Sequence, residues 1–124
     1  MNRIVLFVDD DRDFTSLVSD YLESEIGCTV IKAFDGNEAL EKWQEFKPSV
    51  IVLDIMLPKR SGFLVAEKIK RESSGNHQPA IIVVTALAGS RHEQYALSIG
   101  VQKYMRKPFK LEELAIEVKQ ALAK

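Results

Sequence analysis

The sequence has little cysteine and no long hydrophobic run. Its one cysteine, Cys28, cannot form an internal disulfide. No apolar stretch approaches the roughly 18 residues that a membrane-spanning helix requires. The first residues, Met1-Asn2-Arg3-Ile4, lead directly into an apolar strand pattern and do not have the organisation of a signal peptide. These absences predict a cytoplasmic protein without membrane association.

The chain also lacks a strong excess of either charge. Seventeen Lys and Arg residues oppose eighteen Asp and Glu residues, which gives a formal net charge of −1. Nucleic-acid-binding domains usually carry a strong basic excess, so we expect no direct nucleic-acid binding by this domain. With 46% hydrophobic and 28% charged residues, the composition is ordinary for a globular protein. The length of 124 residues suits one compact domain, predicted to span 1–124.

Strand and helix patterns alternate five times along the chain. Continuous apolar runs predict strands covered on both faces, and apolar residues at helical spacing predict the helices between them. Short loops then require a parallel sheet with helices on both faces and right-handed crossovers. Ser90 is predicted to cap the fourth helix, and Gly100 to end it. The predicted strands cover residues 4–8, 28–33, 50–53, 80–84 and 101–105.

Charged residues lie just beyond three of the predicted strands. Asp9 and Asp10 follow the first strand, Asp54 follows the third, and Lys107 follows the fifth. Because the carboxyl ends of parallel strands meet at one edge of the sheet, we expect several carboxylates to face one lysine there. Such a group can bind a divalent cation beside a carboxylate nucleophile, and the lysine can neutralise an incoming anion.

Each of these residues also has a structural interpretation. Acids after a strand often cap a helix, and Asp11 or Asp13 could cap the first helix in that way. Asp54 is harder to explain by structure alone, because an isolated acid inside the apolar run 51–57 must be desolvated, paired or functional. Lys107 could be an ordinary surface lysine that precedes a proline.

Five short motifs lie at the ends of the predicted strands or in the loops that follow them. They are Asp9-Asp10 after the first strand, Asp54 after the third, Pro58 and Gly62 in the loop behind it, Thr85-Ala86 after the fourth, and Lys107-Pro108-Phe109 after the fifth. The order of these motifs resembles that of the receiver domains of two-component response regulators, over nearly the whole chain. The resemblance implies an α/β, flavodoxin-like (βα)5 fold, a three-layer sandwich whose parallel five-stranded sheet has the order 2-1-3-4-5.

The resemblance implies a phosphorylation site and a metal. Asp54 would be the phosphoacceptor. Mg²⁺ or Mn²⁺ would be bound by the carboxylates of Asp10 and Asp54 and the backbone carbonyl of Met56, with Asp9 reaching the ion through water.

The resemblance also implies a switch. Lys107 would supply a positive charge to the phosphoryl group, and Thr85 would supply a hydroxyl donor. Tyr104 would move between outward and inward positions with phosphorylation, together with Thr85. The peptide bond before Pro108 would be cis, which is found mostly before proline.

The function implied is that of a signalling switch. A sensor histidine kinase or a histidine phosphotransfer protein would donate the phosphoryl group. The face from Ser90 to Leu122 would then change, and a downstream effector or output domain would bind it by population shift. The domain would assist its own phosphorylation and dephosphorylation without being an enzyme, as a monomer or a weak phosphorylation-dependent dimer.

Two other functions stay open at this point. The run from Phe7 to Asp11 also looks like the nucleophile motif of haloacid-dehalogenase-type phosphatases, in which Asp9 would be the nucleophile. The chain is short for that class, and no acid pair for the metal follows Lys107. A phosphorylation-independent binding module with a relict pocket is the third interpretation, and the complete set of pocket residues argues against it.

Overall fold

The computed structural model describes residues 2–73, 75 and 78–123. The polar stretch 72–78, which by its composition is predicted to be a solvated loop, therefore lies partly outside the described residues. Within these residues, strands and helices alternate five times. No helix in this part of the chain combines the length and the apolar character needed to cross a membrane. The elements are β1 Ile4–Val8, α1 Arg12–Ile26, β2 Thr29–Ala33, α2 Gly36–Phe46, β3 Val50–Leu53, α3 Gly62–Glu72, β4 Ala80–Thr85, α4 Ser90–Ile99, β5 Lys103–Arg106 and α5 Leu111–Leu122.

The five strands form one parallel sheet of order β2-β1-β3-β4-β5. The predicted flavodoxin-like fold is therefore confirmed. The strand order reverses between β1 and β3, and these two strands pair with Val8 opposite Leu53. Because this register also joins the Asp54 amide to the Val8 carbonyl at 3.1 Å, the acids that follow the two strands lie side by side.

Two apolar clusters cover the two faces of the sheet. The strands β1, β3 and β4 alternate their side chains between these clusters and are buried almost throughout. One cluster contains Phe7 and Val52 of the sheet with Val18 of α1 and Leu114 of α5. The opposite cluster contains residues of α2, α3 and α4. The helices thus divide two to one face and three to the other, which leaves the carboxyl edge of the sheet open for a site.

Acidic side chains begin two of the helices, but α4 begins differently from the prediction. Asp11 accepts a hydrogen bond from the Phe14 amide at 3.0 Å, so Asp11 and not Asp13 caps α1. The predicted cap at Ser90 is wrong, since Ser90 already has helical backbone and Gly89 takes the cap position with a φ of 115°. Gly89 has no side chain that could accept a hydrogen bond from the backbone amides of the first turn of α4. Gly100 ends α4 in the left-handed conformation, as predicted.

The predicted bounds of β2 and β5 were too early. Strand β2 begins at Thr29, whose amide bonds the Arg3 carbonyl at 2.9 Å, one residue later than predicted. Strand β5 begins at Lys103 and not at Val101. The Val101 amide donates to the Ala96 carbonyl of α4 at 3.3 Å. This amide is therefore not available for a hydrogen bond to the neighbouring strand.

Candidate functional site

Lys107 connects the ends of three strands at the carboxyl edge of the sheet. Its ammonium Nζ lies 2.6 Å from Asp9 Oδ2 and 3.0 Å from Asp54 Oδ2. Asp9 follows β1, Asp54 follows β3 and Lys107 follows β5. Along the chain, Lys107 lies 98 positions after Asp9 and 53 positions after Asp54. The structure therefore brings together the lysine and two of the acids that the sequence predicts to meet there.

The remaining carboxylate oxygens of this cluster accept backbone hydrogen bonds. Asp9 Oδ1 accepts from the Asp11 amide at 2.9 Å. Asp54 Oδ1 accepts from the Met56 amide at 3.0 Å. In each acid, one oxygen is bonded by the following loop and the other by Lys107, so both carboxylates are held in defined orientations.

Burial makes the electrostatics of this cluster strong. Asp9 is 1% exposed and Asp54 is 5% exposed. Desolvation raises the pKa of Asp9, against the hydrogen bond from Lys107 that lowers it. For Lys107, burial alone would lower the pKa, but hydrogen bonds and charge interactions with Asp9 and Asp54 outweigh burial and raise it. Lys107 therefore stays protonated, and one positive charge faces two acids.

The other predicted metal ligands lie at the surface. Asp10 is exposed, and so is Met56, at 57%. Among the residues that the structure describes, no three His, Cys, Asp or Glu side chains form a group that could hold a metal ion. The donor types nevertheless fit a hard cation, because two carboxylates and only one ammonium leave an excess of negative charge at an edge rich in oxygen ligands.

Thr85 and Tyr104 are linked through the backbone of Leu87. The Leu87 amide donates to Thr85 Oγ1 at 3.2 Å. The Tyr104 hydroxyl donates to the Leu87 carbonyl at 2.8 Å, and Tyr104 is only 7% exposed. Tyr104 therefore occupies the inward position. Moving it outward would break its hydrogen bond and loosen the loop that follows Thr85.

An aromatic group supports Lys107, and the sequence pattern did not indicate this role. Lys107 Nζ lies 4.9 Å from the centre of the Phe14 ring, a distance at which a cation is attracted to an aromatic face. The Phe109 ring packs edge-on against Phe14 with ring centres 6.0 Å apart. The peptide bond between Lys107 and Pro108 is cis. In the sequence, Phe14 is one of the apolar residues at helical spacing, a pattern typical of core residues. The signal that could have indicated its role is its position three residues after the last of the acids Asp9, Asp10 and Asp11.

The arrangement places a positive charge beside two carboxylates and can therefore bind an anion next to them. A phosphoryl group at Asp54 would lie beside the ammonium of Lys107. Thr85 is the last residue of β4, the strand next to β3 in the sheet, so it lies at the same edge as Asp54. The Lys107 side chain is 24% exposed, so its ammonium can contact such a phosphoryl group without changing its position.

Comparisons with known proteins give a consistent result. The family model described as the response regulator receiver domain matches residues 5–119. The chain is 35% identical over 122 residues to the transcriptional regulatory protein CpxR of Escherichia coli strain K12, covering 98% of this chain and 50% of CpxR. It is 37% identical over 122 residues to the alkaline phosphatase synthesis transcriptional regulatory protein PhoP of Bacillus subtilis strain 168, covering 98% of this chain and 49% of PhoP. The chain spans about half the length of these curated relatives.

Solved structures resemble the fold closely. The receiver domain of a Francisella response regulator aligns with a TM-score of 0.89 and 30% identity, over 98% of each chain. The BeF3-activated N-terminal receiver domain of RstA from Klebsiella pneumoniae aligns with a TM-score of 0.87 and 25% identity, over 98% of this chain and 99% of the other. The likeness in both cases extends over nearly the whole chain.

Proposed function

Because the chain belongs to the response regulator receiver domain family, we propose that Asp54 is the residue through which it accepts a phosphoryl group in two-component signalling. The observation that carries this assignment is the contact of Lys107 with two nearly buried carboxylates, of which Asp54 follows the central strand β3. A carboxylate oxygen can act as a nucleophile toward phosphorus.

In the proposed reaction, a bond forms between an Asp54 carboxylate oxygen and phosphorus. The bond between phosphorus and the imidazole nitrogen of the donor breaks, and the imidazole leaves. Lys107 is positioned to balance the charge of the transferred group, and Thr85 contributes its hydroxyl as a donor. By these contacts the domain assists its own phosphorylation and, with water as the nucleophile, its dephosphorylation. No external substrate is turned over.

Receiver domains generally bind Mg²⁺ at their acidic phosphorylation site. In this chain we assign direct binding of Mg²⁺ or Mn²⁺ to Asp10, Asp54 and the Met56 carbonyl, and binding through water to Asp9. The bound cation supplies positive charge that lets neighbouring carboxylates and phosphoryl oxygens approach one another. The negative excess of the cluster supports this assignment.

Phosphorylation is proposed to act through the Thr85–Leu87–Tyr104 connection. A phosphoryl group that accepts a hydrogen bond from the Thr85 hydroxyl would draw that hydroxyl toward Asp54 and so shift the threonine oxygen to which the Leu87 amide donates. The change would favour the inward position of Tyr104 and alter the face from Ser90 to Leu122. Sensor histidine kinases or histidine phosphotransfer proteins are the proposed donors, and a downstream effector or output domain is the proposed partner of the altered face.

The same face supports a weak, phosphorylation-dependent dimer as an alternative to a monomer. Its surface groove is lined by the basic residues Lys103 and Arg106 and the acidic residues Glu113 and Glu117. Ile116 lies beside them with 54% exposure. Charges of both signs around an apolar residue can complement a second copy of themselves across a two-fold axis. The rest of the proposal is a single domain over 1–124, a cytoplasmic location and no direct nucleic-acid binding.

The assignment of Asp54 is tested by labelling with a small acyl phosphate donor and Mg²⁺. The wild type should gain one acid-labile phosphoryl group, measured by intact mass, and Asp54→Asn should gain none because an amide is not a comparable nucleophile. Asp20→Asn, a change of an exposed acid on α1, is the matched control and should label normally. Urea unfolding of Asp54→Asn would check that the variant is folded.

Two outcomes would replace this function by its alternatives. Normal labelling of Asp54→Asn together with loss in Asp9→Asn would move the nucleophile to Asp9, as in the phosphatase interpretation. A wild type that binds partners but takes no phosphoryl group would support the relict binding module.

A further inference from the structure

The loop between β3 and α3 holds both the Asp54 carboxylate and the Met56 carbonyl in place. The Met56 amide bonds the Asp54 side chain at 3.0 Å. The Ile55 carbonyl accepts from the amides of Leu57 at 3.0 Å and Gly62 at 2.9 Å. The position of this loop therefore decides where the proposed phosphoacceptor and one proposed metal ligand lie.

The far side of this loop contains a residue in an unusual conformation. Lys59 has a φ of 68°, in the left-handed region that residues with a side chain rarely adopt. Such a conformation persists only when its surroundings hold it. The Pro58 carbonyl just before Lys59 accepts two amides, from Arg60 at 2.8 Å and from Gly36 at 3.2 Å. The second bond comes from outside the loop, from the first residue of α2.

Gly36 lies directly against the backbone of the loop. A Cβ atom added at Gly36 would lie 2.1 Å from the Arg60 carbonyl oxygen and 2.8 Å from the Arg60 carbonyl carbon. Because these are backbone atoms, no change of rotamer could relieve the clash. Gly36 belongs to a helix, whose backbone any residue can adopt, so the glycine is required by space and not by conformation.

An ion pair joins the same two segments. Lys59 Nζ lies 3.6 Å from Asp35 Oδ2, and Asp35 caps α2 immediately before Gly36. The turn between β2 and α2 thus contacts the β3–α3 loop in three ways: a backbone hydrogen bond at Pro58, close packing at Arg60 and an ion pair at Lys59.

We propose that Gly36 is a positioning residue for the phosphorylation site, and that the β2–α2 turn acts as a clamp on the β3–α3 loop. The inference rests on the proposed function of Asp54. The clamp allows Lys59 to keep its left-handed backbone and fixes the loop that carries the Met56 carbonyl and the Asp54 carboxylate. A methyl group at Gly36 would push Arg60 away and displace these groups without touching any of them.

The test compares Gly36→Ala with Gly27→Ala in the whole chain. Gly27 has a φ of 73° with nothing within 4 Å of an added Cβ, so its substitution strains the end of α1 without moving a neighbour. Both variants are expected to unfold at lower urea concentration than the wild type. Only Gly36→Ala should weaken Mg²⁺ binding, by about tenfold or 1.4 kcal/mol, as measured by titrating Mg²⁺ against the amide shifts of residues 54–62.

Labelling with the acyl phosphate donor provides a second measurement. Gly36→Ala should label more slowly than Gly27→Ala under conditions in which both are folded. Equal Mg²⁺ affinity and equal labelling in the two variants would overturn the clamp. Failure of the wild type to label at Asp54 would instead overturn the proposed function, so the two failures are distinguishable.

A third variant covers the case in which Gly36→Ala does not fold. Lys59→Gly removes the ion pair with Asp35 and places at this φ a residue that adopts it freely. The clamp predicts weaker Mg²⁺ binding, by about two- to threefold, with a urea midpoint that is unchanged or higher. Unchanged Mg²⁺ affinity in Lys59→Gly would then count against the clamp.

Discussion

Asp35 stabilises α2 with a carboxylate whose charge depends on pH. Its Oδ1 accepts from the Glu38 amide at 2.8 Å. This backbone hydrogen bond, with a further contribution from the charge of Lys59, holds the pKa of Asp35 below its ordinary value of 3.8, although burial opposes the shift. A carboxyl group whose pKa is lower in the folded than in the unfolded state stabilises the fold at pH values above the unfolded-state pKa. This stabilisation is lost as the pH falls through the folded-state pKa.

We therefore expect Asp35→Ala to lower the free energy of unfolding by about 1 kcal/mol at pH 7. The difference from the wild type should shrink as pH falls below about 4. Asp35→Asn should keep most of the stability at all pH values, because asparagine caps as well as aspartate. Urea unfolding between pH 7 and pH 3 measures both effects, with Asp20→Ala as a control. A difference that stays constant with pH would contradict the assignment.

Met56 and Leu87 are expected to govern the lifetime of the phosphorylated state. By the resemblance to the family, the residues two positions after the phosphoacceptor and after the switch threonine flank the path of the attacking water. The backbone amide and the backbone carbonyl of Leu87 are both hydrogen-bonded, which holds this part of the main chain in place. Neither apolar side chain can orient a water molecule, so hydrolysis should be slow.

The lifetime is measured by following phosphoryl loss at fixed Mg²⁺ in the wild type, Met56→Asn, Leu87→Glu and the double variant. Polar side chains at both positions should accelerate loss about tenfold, which corresponds to about 1.4 kcal/mol of barrier. Unchanged or slower loss in the double variant would show that these side chains do not control access of water.

Among the helices of the described residues, α4 is the least firmly anchored. Only Ala96 of α4 is fully buried, whereas α1, α3 and α5 each bury four residues. Its first turn has no side-chain cap. The helix is held instead from α3, where the Phe63 ring packs edge-on against Tyr95 with centres 5.0 Å apart and Glu67 accepts the Tyr95 hydroxyl at 2.9 Å.

Few buried contacts and an uncapped end imply low local stability. We predict that the amides of α4 exchange hydrogen faster than those of α1 and α5 in the native protein. Phe63→Ala should accelerate exchange in α4 and leave α1 unchanged, because the Phe63 side chain on α3 packs directly against α4. Leu64→Ala is the matched control, since Leu64 lies on the same helix with 55% exposure. Equal exchange in α4 and α1 would show that the aromatic contacts compensate fully.

The sequence was sufficient for the order of elements but not for their ends. Apolar runs identify buried strands because β1, β3 and β4 lie between two layers of helices. The ends of the elements depend on which of two backbone groups accepts a hydrogen bond from a given amide. The Val101 amide, for example, donates to the Ala96 carbonyl of α4 and not to the sheet. At the site, parallel strand ends predicted that Asp9, Asp54 and Lys107 would meet. No local pattern could show that Asp10 is exposed or that Gly36 touches Arg60, because these depend on packing between distant segments.

A change at the pocket should reach the distant face of the molecule through Lys107. In the wild type, phosphorylation is expected to shift amide resonances from Ser90 to Leu114. Lys107→Ala removes the charge that senses the phosphoryl group, so labelling should be slower and the remaining shifts smaller in that region. Two-dimensional NMR of matched phosphorylated samples measures the effect.

The control for this experiment is Lys110→Ala, which changes an exposed lysine before α5. Loss of Lys107 also leaves two nearly buried carboxylates without their cation, which lowers stability. Urea unfolding must therefore accompany the NMR comparison. Equal shifts in the wild type and Lys107→Ala would remove Lys107 from the switch.

The hydrogen bonds of Lys107 make the site a product of the finished chain. They join residues 53 and 98 positions apart, so the pocket exists only after β5 has docked beside β4. A chain still being synthesised has its acids long before it has the lysine that pairs them, and closing contacts over such separations is among the late and costly events of folding. Under the proposed function, an incomplete or unfolded copy could not be phosphorylated at Asp54, so only folded molecules would transmit the signal.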